Sequence, residues 1–341
     1  TPMFADGDLS GAVFQVIAVE DIVTPDGTTR AYAGDVVSEI TTDENGYAET
    51  EPLYLGKYEV REIKAPTGYI LSDESYPVTV CEDGETITIR TVNKPITVEV
   101  SKVDVYGEEL IGADMQLENA DGEIVDEWTS DGTNHVVTEL PAGDYTLKEI
   151  AAPDGYVIAT DIKFTVDVYG NVTVENVEAT ATSENGNPLI VMVDDTTKVQ
   201  ISKQDITTGE ELPGATLQII DEDGNVVEEW VSTDEPHMIE GKLIAGKEYT
   251  LKEIIAPEGY EIANEIKFTV NADGTVTEVV MYDEHTPDLE TPPTVIIDIP
   301  HTGVSADNSA ELYLVATAVI MVFGMVICKK NDKEQRKDDV K

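Results

Sequence analysis

The chain has 341 residues and carries 69 acidic against 21 basic side chains, a formal net charge of −48. Such a surface excludes nucleic acid as a partner, because that binding rests on cationic contacts to phosphate. Two cysteines, Cys81 and Cys328, exclude a disulfide framework, and the four scattered histidines, His135, His237, His285 and His301, have no metal-ligand spacing, so neither a metal nor a cofactor is expected.

The chain starts at Thr1 without an initiator methionine or a secretion signal, and its first module begins abruptly. It reads as the C-terminal portion of a longer protein. One phrase, Tyr-x-(Leu/Val)-x-Glu-x-x-Ala-Pro-x-Gly-Tyr, then occurs three times, at residues 58–69, 145–156 and 249–260. The repeat predicts tandem modules over residues 1–95, 96–196 and 197–285. Strand periodicity puts Tyr145, Leu147 and Glu149 on one face, and likewise Tyr249, Leu251 and Glu253, and Tyr58, Val60 and Glu62. A glutamate in phase with apolar residues is directed at the core, where a carboxylate is costly unless paired or protonated.

Short β-rich runs, among them residues 86–92, 162–168 and 266–270, alternate with Asx-Gly pairs such as Asp26-Gly27, Asp121-Gly122 and Asp273-Gly274. Those pairs tolerate the positive φ of tight hairpins, and the pattern predicts all-β sandwiches. Asp221 to Gly224 reads as a hairpin turn, since the rest of a calcium loop is missing.

The second and third modules open and close with strands that carry charge in phase with apolar side chains. Lys102 follows the face of Val98 and Val100, and Lys203 that of Val199 and Ile201. Asp194 is in phase with Met192, and Asp283 with Met281. One lysine, one aspartate and one glutamate per core would be poor for stability alone. Brought together they can react: desolvation favours a neutral amine, which is a nucleophile, and a neutral acid, which is an electrophile. The glutamate can carry the proton, and the product is a Lys–Asp amide.

Beyond the third module, residues 286–298 are acidic and proline-bearing and read as an extended spacer. Ile299, Pro300, His301, Thr302 and Gly303 follow, then an uncharged apolar run over 312–328, then Lys329, Lys330, Lys333, Arg336 and Lys337. The run is near the lower limit for a membrane-spanning helix, and the basic flank would stay cytoplasmic. The five-residue motif resembles the Leu-Pro-x-Thr-Gly sorting signal of Gram-positive surface proteins, with Ile299 in place of leucine. That resemblance implies cleavage by a sortase between Thr302 and Gly303, and covalent attachment to peptidoglycan through Thr302.

The modules themselves resemble the Cna B-type, or SpaA-like prealbumin-fold, domains of Gram-positive adhesins and pilins. The repeated phrase matches that family's E-box, and residues 101–104, 149–156 and 190–194 are especially similar to a fibronectin-binding-protein domain of the family. The resemblance implies an all-β rod of tandem sandwiches followed by a transmembrane helix. It also implies isopeptide bonds joining Lys102 to Asp194, promoted by Glu149, and Lys203 to Asp283, promoted by Glu253. In the first module Glu62 matches the promoting glutamate and Asn93 the acceptor. No lysine precedes the stretch 9–14, and Lys57, Lys64 and Lys94 occupy the wrong places. The donor is then expected before Thr1, or the module forms no bond. The function implied is a wall-anchored stalk with no catalytic turnover. The alternatives are a sortase-polymerised pilin, or modules that bind host matrix protein or glycan, with an adhesive region expected before Thr1.

Overall fold

The structure, a computed structural model, describes residues 7–175 and 181–287. The spacer from residue 288, the motif 299–303, the apolar run and the basic tail lie outside the described residues. Among those described, every regular element is a β-strand. The chain is a series of β-sandwich modules, each built where period-two alternation sends one face inward.

The second module has two complete sheets. One runs Val172–Val174, Ile162–Val166, Gly143–Ala151, Ile111–Asn119, Ile124–Asp131, and the other His135–Thr138, Thr97–Asp104, Pro188–Asp194, Ala181–Thr182. Ile96, Met115, Leu117, Leu140, Leu147 and Met192 are fully buried in its core. Burial of each such side chain contributes about 1.5–3 kcal/mol relative to exposure. The third module repeats this plan. Its sheets run Val226–Val231, Thr216–Ile220, Glu248–Ile255, Ile266–Thr269, and His237–Glu240, Lys198–Asp205, Thr277–Asp283. In both modules the opening strand lies in the middle of its sheet. It pairs antiparallel to one neighbour and parallel to the closing strand. Two histidines close the edges between sheets: His135 stacks on Trp128 at 4.0 Å, and His237 on Trp230 at 4.5 Å.

The first module differs. Its one substantial sheet runs Val36–Thr41, Val13–Ala18, Gly56–Lys64, Ser75–Val80, with a small hairpin, Ile22–Val23 and Thr29–Ala31, beside it. Residues 86–92, expected to be a strand, carry no ladder. The reason is pairing. The corresponding strands Pro188–Asp194 and Thr277–Asp283 are held by an opening strand, and the described part of the first module has none. Val13–Ala18 is the counterpart of the second strand of the other modules, flanked by an edge strand and the glutamate-bearing strand.

Successive modules meet through the Pro-x-Gly-Tyr turn of the repeated phrase. Ile96 N donates to Gly68 O at 2.8 Å, and Thr197 N to Gly155 O at 2.9 Å. The hydroxyl of Tyr69 donates to Glu139 Oε1 of the second module at 2.8 Å, and Thr197 Oγ1 of the third donates to Gly155 O of the second at 3.2 Å. Gly68 and Gly155 have φ of +86°, and a Cβ at either would strike the backbone of Glu139 or Gly241 across the joint. Only glycine serves both demands.

Candidate functional site

Lys102 and Asp194 stand on adjacent parallel strands, with Lys102 opposite Met192 and Asp194 opposite Asp104. Both side chains therefore project from one face, two residues apart in register. Glu149 reaches them from the facing sheet, on the strand Gly143–Ala151, whose buried positions are Tyr145, Leu147 and Glu149. Lys102 Nζ contacts Asp194 Oδ1 directly and lies 3.2 Å from Glu149 Oε1. All three are buried.

The third module reproduces the arrangement. Lys203 Nζ contacts Asp283 Oδ1 and lies 3.1 Å from Glu253 Oε1, again with all three groups buried. A buried charge triad gives little net stability, because desolvation offsets the Coulombic attraction. The orphan atoms sharpen the point: Asp194 Oδ2 and Asp283 Oδ2 are buried without a hydrogen-bond partner, and Glu149 Oε1 and Glu253 Oε1 have only the ion-pair contact to the lysine. Buried polar atoms are rarely left so, and each such atom calls for an explanation.

Burial pushes the Asp194 carboxyl up to about 7, against the opposing pull of Lys102. Burial likewise raises Glu253 above the usual carboxylate range. In the second module the raised group is thus the acceptor Asp194, and in the third it is the promoting Glu253. A neutral carboxylic acid touching an amine, with a second carboxyl beside both, is the arrangement needed for amide condensation.

One feature escaped sequence reasoning. The second oxygen of each glutamate accepts a backbone N–H ten residues onward: Glu149 Oε2 from Ala159 at 2.6 Å, Glu253 Oε2 from Ala263 at 2.7 Å, Glu62 Oε2 from Ser72 at 2.9 Å. The bond fixes the carboxyl so that Oε1 faces the reacting pair. The constant spacing after each glutamate is the signal that would have found it.

In the first module Glu62 is buried, and its Oε1 accepts from Asn93 Nδ2 at 3.0 Å. The expected promoter and acceptor therefore do meet. No lysine joins them: Lys57 pairs instead with Glu20 at 3.2 Å, and Lys64 and Lys94 are exposed.

A second buried acid was also missed. Glu99 lies on the other face of the strand Thr97–Asp104, where alternation points it at solvent. It is buried because Asn134, Ser183, Asn185 and Asn187 all donate to it, at 2.8–3.0 Å. Those neutral donors hold its carboxyl down at about 2. This network pins the short hairpin Ala181–Thr182 and Pro188–Asp194 to the sheet.

The family-model comparison agrees with this architecture. Residues 5–95, 96–180 and 197–285 each match the family model of the SpaA prealbumin-like fold domain. A 52-residue stretch, 15% of the chain, is 42% identical to the trypsin-resistant surface T6 protein of Streptococcus pyogenes serotype M6, of which it covers 9%. Similar solved structures include the Bacillus anthracis TIE protein, with 27% identity, a TM-score of 0.40, and coverage of 81% of this chain and 48% of that one. They also include a streptococcal ancillary pilin, with 21% identity, a TM-score of 0.34, and coverage of 82% and 94%. The chain thus spans about half of the first of these structures and a small part of the curated relative.

Proposed function

The chain belongs to the SpaA prealbumin-like domain family, a structural family, and from that premise we propose that it is the stalk of a Gram-positive cell-wall surface protein, stiffened by internal isopeptide bonds. The observation that carries this reading is the duplicated buried triad, Lys102–Asp194–Glu149 and Lys203–Asp283–Glu253.

The reaction follows from the geometry. The lysine Nζ, as free amine, attacks Cγ of the aspartic acid. The new C–N bond forms, one carboxyl C–O bond breaks, and water leaves. The glutamate takes the proton lost by the amine and returns it to the departing oxygen. The step removes one carboxyl oxygen and two potential charges from each core. It happens once per module and needs no cofactor. Fixed proximity supplies effective molarities of about 10⁵ M or more.

Each bond ties the opening strand of a module to its closing strand. Tension along the chain then runs through a covalent path rather than through the ladder of hydrogen bonds. The benefit outside the cell is kinetic resistance to force, heat and protease. Ile299 to Gly303 with the apolar run and basic tail supports sortase cleavage after Thr302 and attachment to peptidoglycan.

The test is a protease digest of the purified chain, read by mass spectrometry. One branched peptide joining Lys102 to Asp194 and another joining Lys203 to Asp283 are expected. Four separate linear peptides would refute the reading.

A further inference from the structure

The second and third modules differ in one connection. In the second, residues 167–187 join the strand Ile162–Val166 to the closing strand Pro188–Asp194 and add a strand to each sheet, Val172–Val174 to one and Ala181–Thr182 to the other. In the third, residues 270–276 make the same join and add neither. Its closing strand, Thr277–Asp283, is therefore an edge. Lys198–Asp205 lies on one side of it, and among the described residues no strand lies on the other.

The ladder shows which groups face outward. Asp283 O accepts from Ile206 N, so Thr277, Val279, Met281 and Asp283 direct their backbone groups at the opening strand. The alternate residues, Glu278, Val280 and Tyr282, turn N–H and C=O to the free side, where none has a backbone partner among the described residues. In the second module Leu189, the counterpart of Glu278, is paired with Ala181, and Asp195 O accepts from Val157 N. Only Val191 and Val193 lie between those two closures.

Edge strands are normally blunted by lysine, proline or a bulge. This one carries Val279-Val-Met-Tyr282 without charge, and its register has no bulge. Tyr282 is half exposed, next to the partly buried Val280 on the outer face. The surroundings are acidic. No lysine or arginine occurs from residue 268 to residue 287, whereas Glu278 and Glu284 stand at the two ends of the open reach and Asp273 in the turn before it. The two glutamates are six residues apart, about 20 Å along a strand. A second copy would bring the same acids together, on chains that each carry a net charge of −48.

We propose that the closing strand of the third module is a docking edge for an extended segment of a partner protein, apolar in its middle and cationic at both ends. The segment adds as an antiparallel strand, the direction that Ala181–Thr182 takes on the corresponding strand of the second module. Its backbone meets the outward N–H and C=O groups of Glu278, Val280 and Tyr282. Its apolar side chains sit opposite Val280 and Tyr282, and its cations opposite Glu278 and Glu284. The main chain supplies affinity, and the four side chains supply the preference for this segment.

The experiment titrates the full 341-residue chain with a fluorescent peptide, Lys-Thr-Val-Thr-Val-Thr-Lys, and follows anisotropy and hydrogen exchange. Saturable binding is expected, weaker as salt is raised because exposed charges are screened, with slowed exchange within residues 277–284. Val280→Pro deletes one outward N–H at an edge position that tolerates proline. It should weaken binding at least tenfold while core amides of both complete modules stay protected. Tyr282→Lys, which alters only an exposed side chain, should weaken binding as well, and a peptide with glutamate for lysine should not bind. Absence of binding, equal binding by both variants, or protection elsewhere in the chain would overturn the proposal. So would outward amides already protected in the free chain, since another copy or another segment of the same chain would then cover the edge.

Discussion

Lys102 and Asp194 are 92 residues apart in sequence, yet their side chains touch in the core, because the first and last strands of the second module are parallel neighbours. A bond between them closes almost the whole module into a loop. By analogy with disulfides, closing a loop of that length restricts the unfolded chain by about 4–5 kcal/mol.

Glu149→Gln should therefore leave the second module unbonded while the third still loses its water. The melting temperature of the second module should fall by roughly 20–30 °C, following from about 4–5 kcal/mol over a domain of this size. Differential scanning calorimetry alongside intact mass checks both. A variant that keeps its mass deficit would show that Glu149 does not promote the bond.

The pH dependence has a defined sign. Burial sets the Asp194 carboxyl at about 7, above its ordinary value of 3.8. It is neutral and electrophilic below that point, and loses its proton as the pH rises through it. In Asp194→Asn the acceptor is an amide that does not titrate, and ammonia leaves instead of water. The ratio of the variant's bonding rate to that of the native chain should rise as pH passes through 7. Freshly synthesised chain, quenched at intervals and weighed, gives both rates. A flat ratio would mean that the proton on Asp194 does not control the step.

The positioning amide can be removed without touching a side chain of the triad. Ala159→Pro deletes the N–H that holds Glu149 Oε2 at 2.6 Å, whereas Ala159→Gly retains it. The proline variant should bond at least tenfold more slowly, the glycine variant near the native rate. The third module serves as the internal standard for folding. Equal rates for the two variants would remove Ala159 from the mechanism.

The joints make a prediction of their own. Gly155 and Gly259 share the same turn, with φ of +86° and +90°, but only Gly155 faces another module's backbone. Alanine at Gly259 suffers backbone strain alone. Alanine at Gly155 must also open the joint at Gly241. Each strained position costs about 1–3 kcal/mol, so Gly155→Ala should show the larger loss and new proteolysis between the second and third modules. Identical behaviour of the two variants would mean that the joint contributes nothing.

Much of this was legible in the sequence, and the reason is period two. Lys102, Asp194 and Glu149 could be placed on inward faces because strand alternation is local. The opening and closing strands of the complete modules follow the same rule. Residues 86–92 have the same β-rich composition, yet form no strand, because a ladder needs a partner that no local pattern supplies. Glu99 failed for a related cause. Its neighbours Val98 and Val100 face the core, so alternation sends it outward, but donors from residue 134 and from residues 183–187 gather over it. The amides of Ala159 and Ala263 were invisible because a backbone N–H leaves no mark in residue identity, only in a spacing.

The most direct measurement is the intact mass of the span from residue 1 to residue 298. The account predicts a chain lighter than its sequence by two waters, with the deficits mapped to Lys102–Asp194 and Lys203–Asp283. A chain at its full sequence mass would contradict it, and the buried triads would then be unreacted ion clusters.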